Sequence, residues 1–241
     1  METIKRSDIR WKWLQERGFN VLNDRHQYAY IQALWASPEI VQAVFCEAKA
    51  GTGKTTIAVL AGAYAVEGGE YERIIYVRNA LPIRELGYLP GSLEEKEAPY
   101  FAPLMDALEN VQPGTYEKWT REGCKKIVVL TTAFARGINW NNSFVIIDEA
   151  QSFDLEELQA VYTRCADTCK VVTVGSLRQN DNKRITRYAG LTPFELYMRH
   201  FVGKKVTYHK LVTNYRGSFA SWADEIQLTV NTVKEEEIYG K

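Results

Sequence analysis

Residues 41–66 read VQAVFCEAKAGTGKTTIAVLAGAYAV and carry the clearest structural signal in the chain. The apolar run at 41–46 has the composition of a buried strand, and the Ala-rich run at 54–66 has the pattern of a helix. Between them lies Gly51-Thr52-Gly53-Lys54-Thr55, preceded by Ala48-Lys49-Ala50. A glycine-rich turn between a strand and a helix is the P-loop pattern in the structural context that it requires. The segment therefore predicts a phosphate-binding loop, and a chance glycine-rich turn is the alternative.

The residue types in this loop suit phosphate binding. Glycines let backbone N–H groups point inward at phosphate oxygens, and the N-terminal end of the following helix adds positive potential. We expect Lys54 to reach the β- and γ-phosphates of a nucleotide and the Thr55 hydroxyl to ligate Mg²⁺. The predicted phosphate-binding residues are Ala50, Gly51, Thr52, Gly53, Lys54, Thr55 and Thr56.

A second site signal lies at residues 144–151, which read FVIIDEAQ. The apolar run ends in two adjacent carboxylates, Asp148 and Glu149, at the C-terminal end of a predicted strand, where open α/β sheets bind ligands. We expect Asp148 to hold Mg²⁺ through water and Glu149 to orient and polarise the attacking water. A strand that ends in Asp-Glu is, on its own, often a solvated turn. The upstream phosphate loop favours the catalytic interpretation.

Short apolar runs rich in β-branched residues recur along the chain. The predicted strands are 41–46, 73–77, 126–130, 143–148, 170–174 and 205–209. Continuous runs that alternate with helical segments are typical of a parallel sheet covered on both faces. One such helix is predicted from Asp154, its N-cap, to Ala166. We therefore predict a single RecA-like α/β domain at 21–233, an N-terminal extension at 1–20 and a charged C-terminal tail at 234–241.

The composition is that of an ordinary globular protein with a large core: 241 residues, 46% of them hydrophobic and 25% charged. Thirty basic and thirty acidic residues give a formal charge of zero, so any polyanion site must be a local patch. The four cysteines show no C-x-x-C spacing, which indicates reduced thiols in a cytosolic protein. No apolar stretch approaches a membrane span and the N-terminus has no signal-peptide core, so we expect a cytoplasmic location.

The two site motifs together resemble those of the PhoH family of P-loop ATPases, relatives of the superfamily 1 helicase core. Further elements are similar to the family's signature in order and spacing: Arg78, residues 86–93 (LGYLPGSL), Glu95-Lys96, Ala135-Arg136-Gly137 and Ala189-Gly190-Leu191. The Leu-Pro-Gly segment is the most specific of these. Arg84 and Asn79 depart from the Gly and Pro that the family has at those places, so the resemblance implies different partner contacts for this loop.

Residues 22–27 (LNDRHQ) are similar to the Q-motif of the helicase relatives. The resemblance implies that Gln27 reads the adenine edge with both of its amide groups, which favours ATP over GTP. Residues 175–179 (GSLRQ) are similar to the Gly-Asp-x-x-Gln motif, with Gln179 as a γ-phosphate sensor and Ser176 in place of the usual Asp.

Residues 211–216 (LVTNYR) look like the helicase Asn-Tyr-Arg motif. The resemblance makes Arg216 a candidate to stabilise γ-phosphate charge, either in its own protomer or in a neighbouring one. A structural salt bridge is the alternative role for Arg216.

The family resemblance implies Mg²⁺-dependent ATP hydrolysis coupled to RNA or single-stranded DNA binding or unwinding. One RecA-like domain carries half of a two-domain helicase site, so we expect a homo-oligomer, in the family's manner a hexameric ring, with an arginine supplied in trans. The candidates for that role are Arg136, Arg164, Arg178 and Arg216. An ATP-switched binding or assembly module with little hydrolysis is one alternative. A small-molecule kinase is another, and the Q-like and Asn-Tyr-Arg motifs speak against it.

The N-terminal segment interleaves basic residues with Trp11 and Trp13. Such a pattern predicts either a surface for a single nucleic-acid strand or, more commonly, an amphipathic cover for the core.

Overall fold

The computed structural model describes residues 6–79, 101–132, 139–177 and 186–239. Its strands are β1 (Ala43–Ala48), β2 (Arg73–Arg78), β3 (Ile127–Thr131), β4 (Ser143–Asp148), β5 (Lys170–Gly175) and β6 (Val206–Leu211). They form one parallel sheet in the order β3-β2-β4-β5-β1-β6. Each predicted strand is confirmed, and the predicted RecA-like α/β fold is confirmed with it. The order of the strands depends on tertiary contacts, so the local sequence pattern does not predict it.

Helices connect the strands in the described part of the chain. They are α1 (Arg6–Gln15), α2 (Arg25–Trp35), α3 (Lys54–Glu67), α4 (Ala102–Glu109), α5 (Thr115–Thr120), α6 (Leu155–Tyr162), α7 (Pro193–His200), α8 (Ser218–Asp224) and α9 (Ile226–Tyr239). Helix α9 continues through most of the segment that the sequence suggests is a charged tail. Within the described ranges, no helix is long and apolar enough to cross a membrane.

Helix α6 begins where the sequence predicts and ends earlier. The Asp154 side chain accepts a hydrogen bond from the Glu157 N–H at 2.7 Å, and the Glu157 carboxylate accepts one from the Asp154 N–H at 2.9 Å. This reciprocal pair is a capping box. The prediction that the helix extends to Ala166 is wrong, because residues 164–166 pair with Trp140 instead: Trp140 N–H donates to the Arg164 carbonyl at 2.7 Å.

Alternate residues of each strand face two different layers of helices. Helices α1 to α5 pack on one face, where residues such as Val44, Tyr76 and Ile146 are buried. Helices α6 and α7 pack on the other face, against residues such as Phe45 and Val145. This two-sided burial explains why strands β1 to β5 read as largely apolar runs, whereas the edge strand β6 is partly exposed and mixes apolar with polar residues.

Helix α3 lies very close to the sheet. A Cβ atom on Gly62 would come within 2.7 Å of the Phe144 ring, so a larger residue would push the helix away. The Ala-rich sequence of this helix therefore reflects close packing against the sheet. That packing fixes the position of the helix N-terminus at the phosphate loop.

The described part of the N-terminal segment covers the core. Leu14 is buried, the Trp11 ring stacks on Tyr28 with centroids 5.1 Å apart, and Trp13 packs edge-on against Tyr64 at 5.4 Å. The two tryptophans are thus used in packing, as the amphipathic-cover interpretation expects.

Candidate nucleotide-binding site

The C-terminal ends of β1, β2 and β4 meet at one edge of the sheet and border a cavity of about 960 Å³. A volume of this size suits a nucleotide. The predicted site residues that line it are Gln27, Ala50, Gly51, Gly53, Lys54, Thr55, Thr56, Asp148, Glu149 and Arg216. Thr52 belongs to the loop but its side chain is buried, and its hydroxyl donates to the Lys49 carbonyl at 3.0 Å. The structure therefore brings together the two motifs that sequence analysis found 93 residues apart.

The phosphate loop depends on glycine for two physical reasons. Gly51 and Gly53 have φ values of +77° and +83°, a left-handed conformation that other residues adopt with strain. A Cβ atom on Gly51 would also lie 2.5 Å from Asn214 Oδ1 and 2.9 Å from Arg216 Cγ. Gly53 is the N-cap of α3, so Lys54 begins the helix at the cavity.

Thr55 and Asp148 supply oxygen atoms at one point of the cavity. The Thr55 hydroxyl donates to Asp148 Oδ1 at 2.9 Å. Hydroxyl and carboxylate oxygens are the hard donors that Mg²⁺ prefers, and it usually takes one or two protein ligands together with substrate phosphates. In the described ranges, no three His, Cys, Asp or Glu side chains cluster as an all-protein metal site. The donor set therefore fits Mg²⁺ bound with a nucleotide.

Asp148 is completely buried and held by hydrogen bonds from two other elements. Besides Thr55, it accepts from the Tyr76 hydroxyl on β2 and from the Glu149 N–H at 3.0 Å. Burial, followed by the negative charge of Glu149, raises the pKa of Asp148, while the Tyr76 hydrogen bond and nearby cations act in the opposite direction. No sequence motif marks Tyr76 as a site residue, although its hydroxyl is unusual in the otherwise aliphatic run of β2.

Glu149 occupies a sharp turn between β4 and a 3₁₀ turn at Ala150–Ser152. Its φ of +54° is left-handed, which is uncommon for a residue with a side chain. Its carboxylate accepts a hydrogen bond from Gln151 Nε2 at 2.6 Å, and Gln151 Oε1 in turn accepts from the Ser176 N–H at 2.9 Å. Gln151 belongs to the sequence motif at 144–151, but its residue type and position there predict no function for it.

Gln27 lies at the start of α2, beside the phosphate loop. Asp24 caps this helix by accepting from the N–H groups of His26 at 2.8 Å and Gln27 at 3.2 Å. The Gln27 side-chain nitrogen donates to the Thr52 carbonyl at 3.1 Å. One amide hydrogen thus holds the loop, and the described residues give no partner to the other hydrogen or to Oε1, so both can contact a ligand.

The Asn-Tyr-Arg segment lies against the phosphate loop of its own chain. Tyr215 N–H donates to the Gly51 carbonyl at 2.8 Å, and the Tyr215 hydroxyl donates to Asp24 Oδ2 at 2.9 Å. Asn214 Oδ1 accepts from the Arg216 N–H at 2.8 Å, and Arg216 lines the cavity. In the described ranges no carboxylate forms an ion pair with Arg216, so the alternative of a structural salt bridge has no partner there.

The other candidate arginines are placed differently. The Arg164 carbonyl accepts a hydrogen bond from the Trp140 N–H, just before β4 begins. Arg164 therefore lies at the edge of the sheet opposite the phosphate loop. It cannot reach the cavity of its own chain. Arg136, Arg178, Gln179 and the Leu-Pro-Gly segment at 86–93 lie outside the described residues.

Asn79, which replaces the proline of the family pattern, links β2 to the turn after Glu149. Its side-chain nitrogen donates to the Ser152 carbonyl at 2.6 Å and to Glu157 Oε2 at 3.0 Å. Thr132, which follows β3, donates to Asn79 Oδ1 and to Glu157 Oε1, each at 3.2 Å. A proline at this position could make none of these bonds.

A parallel α/β sheet with a P-loop at one strand end and paired carboxylates at another defines a P-loop nucleotide-binding protein. The sequence model described as "PhoH-like protein" matches residues 22–224. The chain belongs to the PhoH family of P-loop ATPases.

Individual relatives agree with this family. A PhoH-like protein of Mycobacterium leprae is 32% identical over 208 residues, which cover 83% of this chain and 58% of the relative. A PhoH-like protein of Synechocystis is 39% identical over 139 residues, covering 57% and 42% of the two chains. Protein PhoH of Escherichia coli is 33% identical over 160 residues, covering 66% and 44%. The matched part thus spans about half the length of these relatives.

Proposed function

We propose that this chain binds ATP together with Mg²⁺ and hydrolyses the bond to the γ-phosphate. We also propose that this turnover is coupled to binding of RNA or single-stranded DNA in the cytoplasm. The observation that carries the proposal is the meeting of Lys54, Thr55, Asp148 and Glu149 around one cavity. Together these side chains would supply three tasks in phosphoryl transfer to water: binding of the phosphates, binding of Mg²⁺ and activation of the attacking water.

Binding of the phosphates is assigned to the loop and the N-terminus of α3. The N–H groups of the loop and the Lys54 ammonium offset the charge of the phosphates. Thr55 and Asp148 would hold Mg²⁺, which supplies further charge neutralisation at the phosphate oxygens. The hydrogen bond from Tyr76 keeps one Asp148 oxygen engaged and leaves the other directed towards Thr55.

Activation of water is assigned to Glu149. Glu149 lines the cavity one residue beyond Asp148. A nucleotide bound in the cavity would therefore have its phosphates close to this carboxylate, which is not part of the phosphate loop. A carboxylate in this place can orient a water molecule and accept its proton as the water oxygen bonds to the γ-phosphorus, while the bond from that phosphorus to the bridging oxygen breaks and ADP leaves. Arg216 would stabilise the charge that develops on the γ-phosphate, and the proposed sensor role of Gln179 belongs to the same step.

Selection of adenine is assigned to Gln27, because its free amide hydrogen and Oε1 match the acceptor and donor on the adenine edge. Tyr215 lines the same cavity with 58% of its surface exposed, so its ring can contact a bound nucleotide. ATP should therefore bind more tightly than GTP.

The test of hydrolysis compares the wild type with Glu149→Gln and Lys54→Ala. We expect Glu149→Gln to lower the turnover number by about 100-fold or more while ATP binding persists, since loss of a general base removes chemistry and leaves the phosphate cradle. Lys54→Ala should weaken ATP binding itself. Phosphate release and binding of a fluorescent ATP analogue measure the two effects.

The exposed Glu156 on α6 provides a matched control, because Glu156→Gln makes the same chemical change away from the cavity. A wild-type rate no higher than that of Glu149→Gln would overturn the enzyme proposal. Turnover that does not respond to RNA or single-stranded DNA at low salt would remove the nucleic-acid part of it.

An ATP-switched assembly module is the second candidate, and the C-terminal helices favour it. Phe219, Trp222 and Ile226 are 80%, 67% and 63% exposed, a concentration of apolar surface that commonly marks an interaction site. Lys49, at the start of the phosphate loop, pairs with Glu225 between α8 and α9 at 3.6 Å. A homo-oligomeric ring is the assembly that we propose, and its nucleotide dependence would separate this candidate from a simple ATPase.

A further inference from the structure

The Gln151 side chain spans the gap between the ends of β4 and β5. Its nitrogen donates to Glu149 Oε2 at 2.6 Å, and its oxygen accepts from the Ser176 N–H at 2.9 Å. From this bridge, and resting on the proposed ATP hydrolysis, we propose that Gln151 is a positioning residue that holds the Glu149 carboxylate in the orientation needed to activate water.

The bridge requires an amide of this length. One end must donate to a carboxylate and the other must accept from a backbone N–H, and a primary amide offers both functions. Gln151 is buried, and a Cβ atom on Gly175 would lie 2.9 Å from its oxygen, so the glycine leaves the space that the amide occupies. Asparagine is one methylene shorter and could not reach both partners.

The backbone of Glu149 is fixed independently of Gln151. Its N–H donates to Asp148, and its carbonyl accepts from the Ser152 N–H at 2.8 Å and the Ser152 hydroxyl at 2.7 Å. The carboxylate is different, because the described residues give it one hydrogen-bond donor, and that donor is Gln151. Among the described residues, the rotatable part of Glu149 is thus held by the Gln151 contact, which engages Oε2.

The sheet order places the anchor of this bridge between the two halves of the site. Strand β5 lies between β1, which leads into the phosphate loop, and β4, which ends at the carboxylates. Ser176 directly follows β5 and therefore lies between them. The contact uses the backbone N–H of Ser176, so it does not depend on the aspartate that helicase relatives have at this place.

Loss of the bridge should affect turnover more than nucleotide affinity. Gln151 does not line the cavity, whereas Glu149 does. Displacement of a catalytic group by about 1 Å can lower a rate on the order of 100-fold. For Gln151→Met, which keeps the length and removes both hydrogen bonds, we expect kcat to fall about 10- to 100-fold and KM to change about twofold or less.

A double-mutant cycle separates positioning from general destabilisation. In single-turnover measurements, Gln151→Met should lower the wild-type rate strongly and add little to the loss already caused by Glu149→Gln, because both changes remove one function. Gln159→Met, at an exposed position of α6, is the matched control and should leave the rate unchanged. Normal kcat in Gln151→Met, or fully additive losses, would overturn the proposal.

A second measurement does not depend on catalysis. With ¹⁵N-labelled glutamine, the side-chain amide protons of Gln151 should exchange with water at least tenfold more slowly than those of Gln159, and Glu149→Ala should remove this protection. Equally fast exchange of both amides in the wild type would overturn the positioning role even in an active ATPase. Slow exchange in a protein that does not hydrolyse ATP would confirm the bridge and overturn the proposed function.

Discussion

The Asp24 carboxylate joins two parts of the site that are 191 residues apart in the chain. It caps the helix that carries Gln27 and also accepts a hydrogen bond from Tyr215, which precedes Arg216. Burial alone would raise the pKa of Asp24, but hydrogen bonds, the largest from Thr213, hold it below the ordinary value. The charged form of one residue thus positions both the proposed adenine contact and the proposed γ-phosphate arginine.

Lys170, at the start of β5, is another buried charged residue whose environment has a measurable consequence. Its ammonium is fully buried and donates to the Ala33 carbonyl at 3.1 Å, near the C-terminal end of α2, and to the Val41 carbonyl. Burial lowers the pKa of Lys170 from 10.5 to about 7. Between these two values the unfolded chain binds a proton that the folded protein does not, so this group makes the free energy of unfolding increase with pH.

We expect Lys170→Met to remove this contribution. From pH 7 to 9.5, the free energy of unfolding of the wild type should rise relative to that of the variant by on the order of 1–3 kcal/mol, whereas below pH 7 the difference should be constant. Urea unfolding at several pH values measures it. Lys204→Met, at an exposed turn, is the control and should follow the wild-type curve. Parallel curves for Lys170→Met and the wild type would contradict the assignment.

At the scale of elements, strands β1 to β5 were predictable because burial in the sheet makes each of them a largely apolar run. The phosphate loop was predictable because its glycines and Lys54 are contiguous in sequence. The N-cap of α6, Asp154, was predictable because it directly precedes the helix in sequence, and its capping partner Glu157 is local as well. The partners of the site were not predictable in this way. Tyr76 meets Asp148 across neighbouring strands, and Gln151 meets Ser176, so both contacts depend on a strand order that no local pattern encodes.

Asn79 connects three elements, and its contribution should be visible in stability. Replacing it with alanine removes the hydrogen bonds to the Ser152 carbonyl and Glu157 and leaves the partly buried Glu157 with fewer donors. Burial already raises the pKa of Glu157, so a lost donor should raise it further. We expect Asn79→Ala to lower the free energy of unfolding by about 1–2 kcal/mol, measured by urea unfolding at neutral pH.

The solvent-exposed Asn141 offers a control for this change, because Asn141→Ala should leave the free energy of unfolding within about 0.5 kcal/mol of the wild type. Equal stability of the two variants would show that the Asn79 contacts contribute nothing measurable.

On the scale of the whole molecule, the two faces of the sheet and the C-terminal helices differ in how well they are covered. In the part of the chain that the structure describes, one face is covered by helices α1 to α5 and the other by α6 and α7, while α8 and α9 expose apolar side chains. These helices directly follow Arg216, and their junction is tied to the phosphate loop through Lys49 and Glu225. Local patterns gave no sign of this exposure, because an apolar helix in sequence is normally expected to be buried.

If the exposed surface of α8 and α9 is the assembly surface of the proposed ring, its disruption should change the mass in solution while ATP binding persists. With Mg²⁺ and a non-hydrolysable ATP analogue, we expect the wild type to form assemblies larger than the 27.6 kDa chain, and Trp222→Glu to return most of the protein to that mass. The physical reason is that a charge in the centre of an apolar contact is desolvated without a partner.

Val202→Glu places the same charge at an equally exposed apolar residue after α7, so it should leave assembly intact. Light scattering coupled to size-exclusion chromatography distinguishes the cases. A wild type that stays monomeric with and without nucleotide, or a Trp222→Glu variant that assembles normally, would contradict this role, and a monomer that still hydrolyses ATP would place all catalytic groups, Arg216 included, within one chain.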